Sequence, residues 1–283
     1  MKIWYDGELV ERENAKISVF DHGILYGDGC FEGIRFYNSK IFRLDVHIER
    51  LFNCMRYLML DLPWSYEEVC KATEETVAQC GLTDGYIRLI VTRGVGDLGL
   101  DPAKCPKASM IIIAQDIALY PQSMYDNGLK VITSSYRRAT PDVLCQQVKS
   151  LNYLNSILAK VECVQRGAGE ALILNAQGNI AECTGDNIFI VKKGVVYTPP
   201  ITEGALDGIT RQAVVDICEE MGIELVEKDM NRFDVIIADE CFLTGTAAEV
   251  IAVSELDGRP IGTGKAGPIT KKILERYQTL VRE

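Results

Sequence analysis

The stretch KSLNYLNSILAK, residues 149 to 160, places a lysine at each end of an apolar run. At about 100° per residue, Leu151, Leu154, Leu158 and Val161 fall on one helical face, and Lys160 lies roughly 180° from Leu151, toward solvent. Ser150 reads as an N-cap, which leaves Lys149 just outside the helix at the end of an extended segment. A lysine used in chemistry must be held by its surroundings and must be able to lose its proton, because only the neutral amine attacks a carbonyl carbon. Position alone leaves an ordinary loop lysine as the alternative.

Supporting residues lie elsewhere. NIAECTGDNIFIV places Glu182 among small and polar residues just before a strand, where a carboxylate could approach a ring nitrogen. ALDGITRQAVV puts Gly208 before Thr210, read as the N-cap of a helix from Arg211 whose free N–H groups suit an anion. FLTGTAAEV makes a second Gly-Thr turn at Gly245-Thr246, and HIERL sets Arg50 on a helix as a candidate phosphate partner. Singly, each has a plainer reading as a turn carboxylate, a cap or a surface charge. Together, a lysine, a ring-nitrogen acid and several phosphate donors are the parts that a pyridoxal-phosphate site requires.

Other motifs do not hold up. GVGDLG, residues 94 to 99, matches a dinucleotide fingerprint, but Pro102 and Pro106 stand where its helix should run. GTGKAG has the wrong spacing to Lys265 for a phosphate loop, and Ala266 replaces the required hydroxyl. There is no G-x-S-x-G, His22 and His47 are the only histidines, and no clustered ligands suggest a metal.

The elements that must position these residues read as follows. Asp6-Gly7 turns a hairpin between KIWY and ELV, and Asn38-Ser39 turns FEGIRFY into KIFRL. Asp45 caps a helix through about Met59, and Ser65 to Glu68 is a capping box opening a helix that stops at Gly81. Strands YIRLIVTR and SMIIIAQDI follow. Periodicity is lost in IALYPQSMYDN, so the expected division is an N-terminal α+β domain over 1–117, a linker over 118–128 and a C-terminal domain over 129–283. In the last, LKVITSSY, EALILN, NIFIV, VVYTPP, IELVE, CFLTG and VIAV read as strands among three helices, the final one opened by Pro268.

With 283 residues and 47% hydrophobic content, the chain can fill one large or two medium cores. A formal charge of −10 argues against a nucleic-acid footprint and for small-molecule partners. No run approaches membrane-spanning length, and ten scattered cysteines without a C-x-x-C pair read as reduced thiols, so a cytoplasmic location is expected.

Over nearly its full length the chain resembles the class IV pyridoxal-phosphate aminotransferases of fold type IV, branched-chain amino acid aminotransferases above all. YGDGCFEGIR, HIERL, YIR, KSLNYLNSILAK, AECTGDNIF, ALDGITR and GTAAEV carry the resemblance, in family order. It implies an α/β, two-domain fold with a smaller N-terminal α+β and a larger C-terminal mixed α/β domain, the cofactor between them, and a homodimer or higher homo-oligomer. It further implies that Lys149 bonds covalently to the cofactor, Glu182 pairs with the pyridine nitrogen and Tyr153 reaches the phenolic oxygen. Arg50, Ile209, Thr210 and Thr246 would contact the phosphate, and Leu206 would pack on the ring.

The expected reaction is ping-pong transamination of L-valine, L-leucine and L-isoleucine with 2-oxoglutarate, Lys149 moving the proton at the substrate's Cα. In similar enzymes Tyr26, Phe31, Tyr86 and Tyr120 would line the apolar pocket, Arg88 would meet glutamate's side-chain carboxylate, and N–H groups around Thr246 and Ala247 would hold the α-carboxylate. Arg93 in VTRG and KSLN resemble instead the D-amino acid aminotransferases, where an arginine in this region binds the α-carboxylate, although Val95 stands where that group has histidine. D-alanine transamination and the aminodeoxychorismate lyase reaction therefore stay open as alternatives.

Overall fold

The computed structural model describes residues 1–117 and 120–283. The chain divides into two compact units, one made of Met1–Ile117 with Val148–Asn152, the other of the remaining described residues. The first two residues of the expected linker, 118 and 119, lie outside the described residues. Within the rest of that linker, Gln122–Asn127 is a helix whose residues Met124 and Tyr125 pack on the second unit's core. Val148–Asn152, read from sequence as part of the C-terminal domain, clusters with the first unit instead.

Strands β1 (Lys2–Tyr5), β2 (Glu8–Glu11), β3 (Gly29–Tyr37), β4 (Lys40–Ile41), β5 (Gly85–Thr92) and β6 (Ser109–Gln115) form the first unit's sheet, in the order β2-β1-β6-β5-β3-β4. Every pairing is antiparallel. Asp6-Gly7 and Asn38-Ser39 both have positive φ at each position, the mirror-image turn that matches strand twist. The unit's helices are α1 (His22–Tyr26), α2 (Leu44–Leu58) and α3 (Tyr66–Cys80). Ser65 and Glu68 form the reciprocal capping box, and α3 ends at Gly81 in the left-handed region. Asp45 is not a cap: α2 opens at Leu44 after Arg43, and Asp45 sits in the first turn, where the helix dipole still favours it. Ile34, Phe36, Ile48, Leu51, Ile87, Leu89, Met110 and Ile112 fill the space between helices and sheet, each fully buried side chain contributing roughly 1.5–3 kcal/mol.

The second unit holds α4 (Gln122–Asn127), β7 (Leu129–Arg137), α5 (Leu154–Gln165), β8 (Glu170–Leu174), β9 (Ile180–Cys183), β10 (Asn187–Lys192), β11 (Val195–Thr198) and α6 (Ile209–Glu220). After these come β12 (Leu225–Glu227), α7 (Arg232–Ile236), β13 (Glu240–Gly245), β14 (Glu249–Leu256), β15 (Arg259–Pro260) and α8 (Pro268–Leu280). The sheet order is β12-β11-β10-β13-β14-β7-β8-β9, with β15 on β14. Pairings are parallel at β11–β12, β14–β7 and β7–β8, which makes it a mixed sheet. The two sheets are those of the expected two-domain α/β fold.

Local chemistry around the opening stretch differs from the sequence expectation. β4 pairs only with Phe36 and Tyr37, so the other end of β3 has an open edge. Residues 149–151 fill it: Ser150 bridges Cys30, Phe31 N–H donates to Lys149 O at 3.0 Å, and Leu151 N–H donates to Gly29 O at 2.9 Å. With these backbone groups in the sheet, Ser150 cannot be an N-cap, and α5 begins at Leu154 after Tyr153. The buried face of α5 is Ser156, Ala159 and Cys163, because close approach to β7 and β8 favours small side chains, while Leu154, Ile157, Val161 and Val164 stand exposed. Lys160 is therefore not a solvated charge. It lies at the border of that small face, and its Nζ donates to Gly169 O at 2.6 Å and pairs with Glu170 at 3.3 Å.

A further correction concerns α6, which opens at Ile209 with Gly208 as N-cap and so puts Thr210 inside the first turn; Glu182 lies in β9, ahead of strand β10 as expected. Among the described residues no helix is long and apolar enough to cross a membrane.

Candidate active site

β3 supplies functional groups on both faces by strand alternation. On one, the Lys149 Nζ lies 4.6 Å from the Phe31 ring centroid, and the Arg88 guanidinium carbon lies 4.6 Å from the same ring. Arg88 also donates to Tyr86 Oη at 3.1 Å. Gly33 makes room for that hydroxyl, since a Cβ there would sit 1.9 Å from Tyr86 Oη. An amine, an aromatic wall and a guanidinium thus share one surface of the first unit. The lysine's strand is anchored from behind as well, Lys149 N–H donating to Cys54 Sγ on α2 at 3.3 Å.

On the opposite face Glu32, fully buried, points at α2. Its two oxygens accept from Arg50 Nε at 2.7 Å, Arg50 Nη2 at 2.8 Å and His47 Nδ1 at 2.7 Å. Burial pushes the Glu32 carboxyl up, but the charges and hydrogen bonds of Arg50 and His47 outweigh it and hold Glu32 well below the usual carboxylate range. Burial pushes His47 down, against the pull of Glu32. Neither Glu32 nor His47 was picked out from sequence, although a charged residue inside the apolar strand FEGIRFY was a signal that a partner must exist.

Arg93 is held elsewhere. It donates to both Asp28 oxygens at 2.8 and 2.9 Å, and to the carbonyls of Leu58 and Met59 at the end of α2 at 2.8 and 2.7 Å. Tyr26 packs edge-on against His22 and donates to Leu98 O.

In the second unit, Glu182 is 8% exposed and fixed from three sides. Arg138 pairs with it at 3.1 Å, Leu206 N–H donates to it at 2.9 Å, and Asn187 Nδ2 approaches at 3.4 Å. Removing one partner of so buried a pair costs roughly 3–5 kcal/mol, because the remaining charge is left uncompensated. Asn187 also donates to Leu206 O at 2.9 Å, tying the segment before α6 to β10. That close fit requires Gly208: a Cβ there would lie 2.1 Å from Asn187 Oδ1. No side chain caps α6, so its first N–H groups, at Ile209 and Thr210, keep their donor capacity.

Thr246 and Ala247 form the turn between β13 and β14, backed by Asp186, whose Oδ1 would lie 2.0 Å from a Cβ on Gly245. Tyr120 is a core residue of this unit, its hydroxyl donating to Glu170 at 3.2 Å and Asp186 at 3.3 Å. Tyr153 is the N-cap residue of α5. Arg138 carried no periodic or motif signal in the sequence, and Asn187, inside AECTGDNIF, was given no role.

These groups fit a phosphorylated pyridine cofactor. A carboxylate held in place by an arginine and a backbone N–H suits a protonated ring nitrogen, and an uncapped helix start behind a space that admits only glycine suits a phosphate. Comparison with known proteins agrees. The model of the family "Amino-transferase class IV" matches residues 29–256. A putative branched-chain-amino-acid aminotransferase of Methanocaldococcus jannaschii is 49% identical over 99% of this chain and 96% of its own. The crystal structure of the Escherichia coli branched-chain amino acid aminotransferase superposes with a TM-score of 0.96 at 36% identity, covering 99% of this chain and 94% of that one. The branched-chain amino acid aminotransferase from Thermobaculum terrenum, in its PLP-bound holo-form, gives a TM-score of 0.89 at 32% identity over 99% and 93%. The chain belongs to the class IV aminotransferases.

Proposed function

We propose that the protein is a pyridoxal-phosphate-dependent aminotransferase that moves amino groups between L-valine, L-leucine or L-isoleucine and 2-oxoglutarate in a ping-pong reaction. The observation that carries this reading is Phe31, whose ring has the Lys149 amine and the Arg88 guanidinium each 4.6 Å from its centroid. An apolar substrate side chain packs on the ring, and glutamate's second carboxylate meets Arg88, so one surface serves both partners of the exchange. Relatives that bear the branched-chain name at 36–49% identity support the same choice.

When bound, the cofactor supplies a carbonyl carbon that exchanges amino groups and a ring that takes up the electron pair released at the substrate's Cα. Lys149 would hold the cofactor covalently and, as a neutral amine, would take the proton from the substrate's Cα and deliver it to the carbon that the cofactor supplies. Glu182, held by Arg138, would keep a proton on the ring nitrogen. By resemblance to the family, Arg50 and the N–H groups of Ile209, Thr210 and Thr246 would hold the phosphate, Leu206 would pack on the ring, and Tyr153 would donate to the phenolic oxygen. N–H groups at Thr246 and Ala247 hold the α-carboxylate, with Tyr26, Tyr86 and Tyr120 contributing to the substrate's apolar surroundings.

The D-amino acid alternative needs Arg93 as a carboxylate ligand. Four of its N–H bonds go to Asp28, Leu58 and Met59, which argues against that use. A panel of L-valine, L-leucine, L-isoleucine, D-alanine and aminodeoxychorismate decides the matter, with 2-oxoglutarate where needed. Fast turnover of the three L-amino acids is expected; D-alanine turning over faster than L-leucine would overturn the assignment.

The enzyme is proposed to act as a homodimer in the cytoplasm. Val19, Ile24, Leu98 and Leu100 are each at least 60% exposed and are gathered by the Asp21–Val95 bridge and the Gly96 to Phe20 hydrogen bond, an apolar patch suited to a second copy. Ten free cysteines suit a reducing compartment.

A further inference from the structure

We propose that Glu32 is a positioning residue that fixes the guanidinium of Arg50 to receive the cofactor's phosphate. The inference rests on the pyridoxal-phosphate reading above. Glu32 grips the Nε–Nη2 edge of the guanidinium through two bonds of 2.7 and 2.8 Å, and this bidentate pair sets the plane and rotation of a group that would otherwise turn about its stem. His47, itself 1% exposed, holds the carboxylate in turn through Nδ1 at 2.7 Å.

The fold alone gives no reason for a carboxylate at this position. Ile34 and Phe36, on the same face of β3, are fully buried apolar residues of the core, and an apolar side chain at position 32 would avoid the desolvation of a buried charge. Nor would net charge explain it, because an ionised glutamate beside the arginine weakens the field that attracts an anion. Orientation is the contribution that remains. A guanidinium held in one plane forms its phosphate bonds without first losing rotational freedom.

Charge and geometry predict changes of opposite sign, which makes the role testable on the apo-protein. Equilibrium binding of pyridoxal phosphate and of pyridoxal, the same aldehyde without the phosphate, is measured by absorbance, and the ratio of the two affinities isolates the phosphate contribution. Glu32→Gln should lower that ratio at least tenfold, while pyridoxal alone binds as in the wild type. Glu32→Asp keeps the charge, but its stem is one methylene shorter and cannot reach both guanidinium nitrogens from the same backbone position; it should lower the ratio about threefold or more. A ratio unchanged in either folded variant, or raised in Glu32→Gln, overturns the proposal. Equal losses for both ligands would assign Glu32 a merely structural role and overturn it too. A wild-type protein that binds the two ligands equally well would remove the cofactor reading itself, and this inference with it.

Discussion

Arg93 and Lys149 show at the scale of single residues what spacing can and cannot disclose. Arg93 stands in VTRG, where resemblance gave it a carboxylate-binding role, yet its chief partner Asp28 is 65 positions away, beyond any local pattern. Its bonds to Asp28 and to the last carbonyls of α2 make it a strut between two loops and a helix end. Arg93→Lys loses the bidentate geometry, and unfolding measurements should show a loss on the order of 1–3 kcal/mol. The ratio of D-alanine to L-leucine turnover should not change; a collapse of D-alanine activity alone would restore the carboxylate-binding role. Lys149 and Glu182 stood out because lysine, acid and Gly-Thr turns recur in family order, and their roles remain proposals. Arg138, which fixes Glu182, was not, since nothing in YRRAT distinguishes one arginine from its neighbour.

Among elements, most of those fixed by turns, caps and periodicity were read correctly, whereas the short strand that completes a distant sheet edge was not. The capping box at Ser65 and Glu68, the two hairpin turns and the glycine stop of α3 depend on residues within about four positions. The strand at 149–151 depends on the open edge of β3, more than a hundred positions earlier, so an apolar stretch with a serine in front looked like a helix start. The start of α6 was misplaced by a smaller margin, because Gly208 caps without a side chain and Thr210 resembles a cap. Gly208 gives this element its prediction. A methyl group there would collide with Asn187, which also ties down Leu206, so Gly208→Ala must shift the first turn of α6. Pyridoxal-phosphate affinity should fall at least tenfold by titration of the apo-protein, with circular dichroism near that of the wild type. Undiminished affinity would mean that this turn does not hold the phosphate.

At the scale of the whole molecule, stability depends on pH through a buried acid, Asp186, that carried no assigned role in the sequence. Burial first, and then the charge of Glu170, push Asp186 up to about 7, against the opposing pull of Lys160. The folded state therefore holds a proton that the unfolded chain releases near pH 3.8. That contribution to stability is complete in acid and is lost as pH rises toward about 7. Thermal unfolding should show it: Asp186→Asn should gain stability relative to the wild type between pH 5 and 7.5, and a constant difference across that range would refute the assignment. At this scale the two-sheet architecture and the membership in the class IV aminotransferases were both legible, since seven family stretches occur in order along one chain. The central claim is that Lys149 carries the amino-group exchange and the proton movement at Cα. The most direct test is a single turnover of Lys149→Ala, loaded with pyridoxal phosphate and mixed with L-leucine, reading formation of the pyridoxamine form by absorbance. The expected rate is at least about 10³-fold below that of the wild type with an unchanged fold; a rate within threefold of the wild type would contradict the claim.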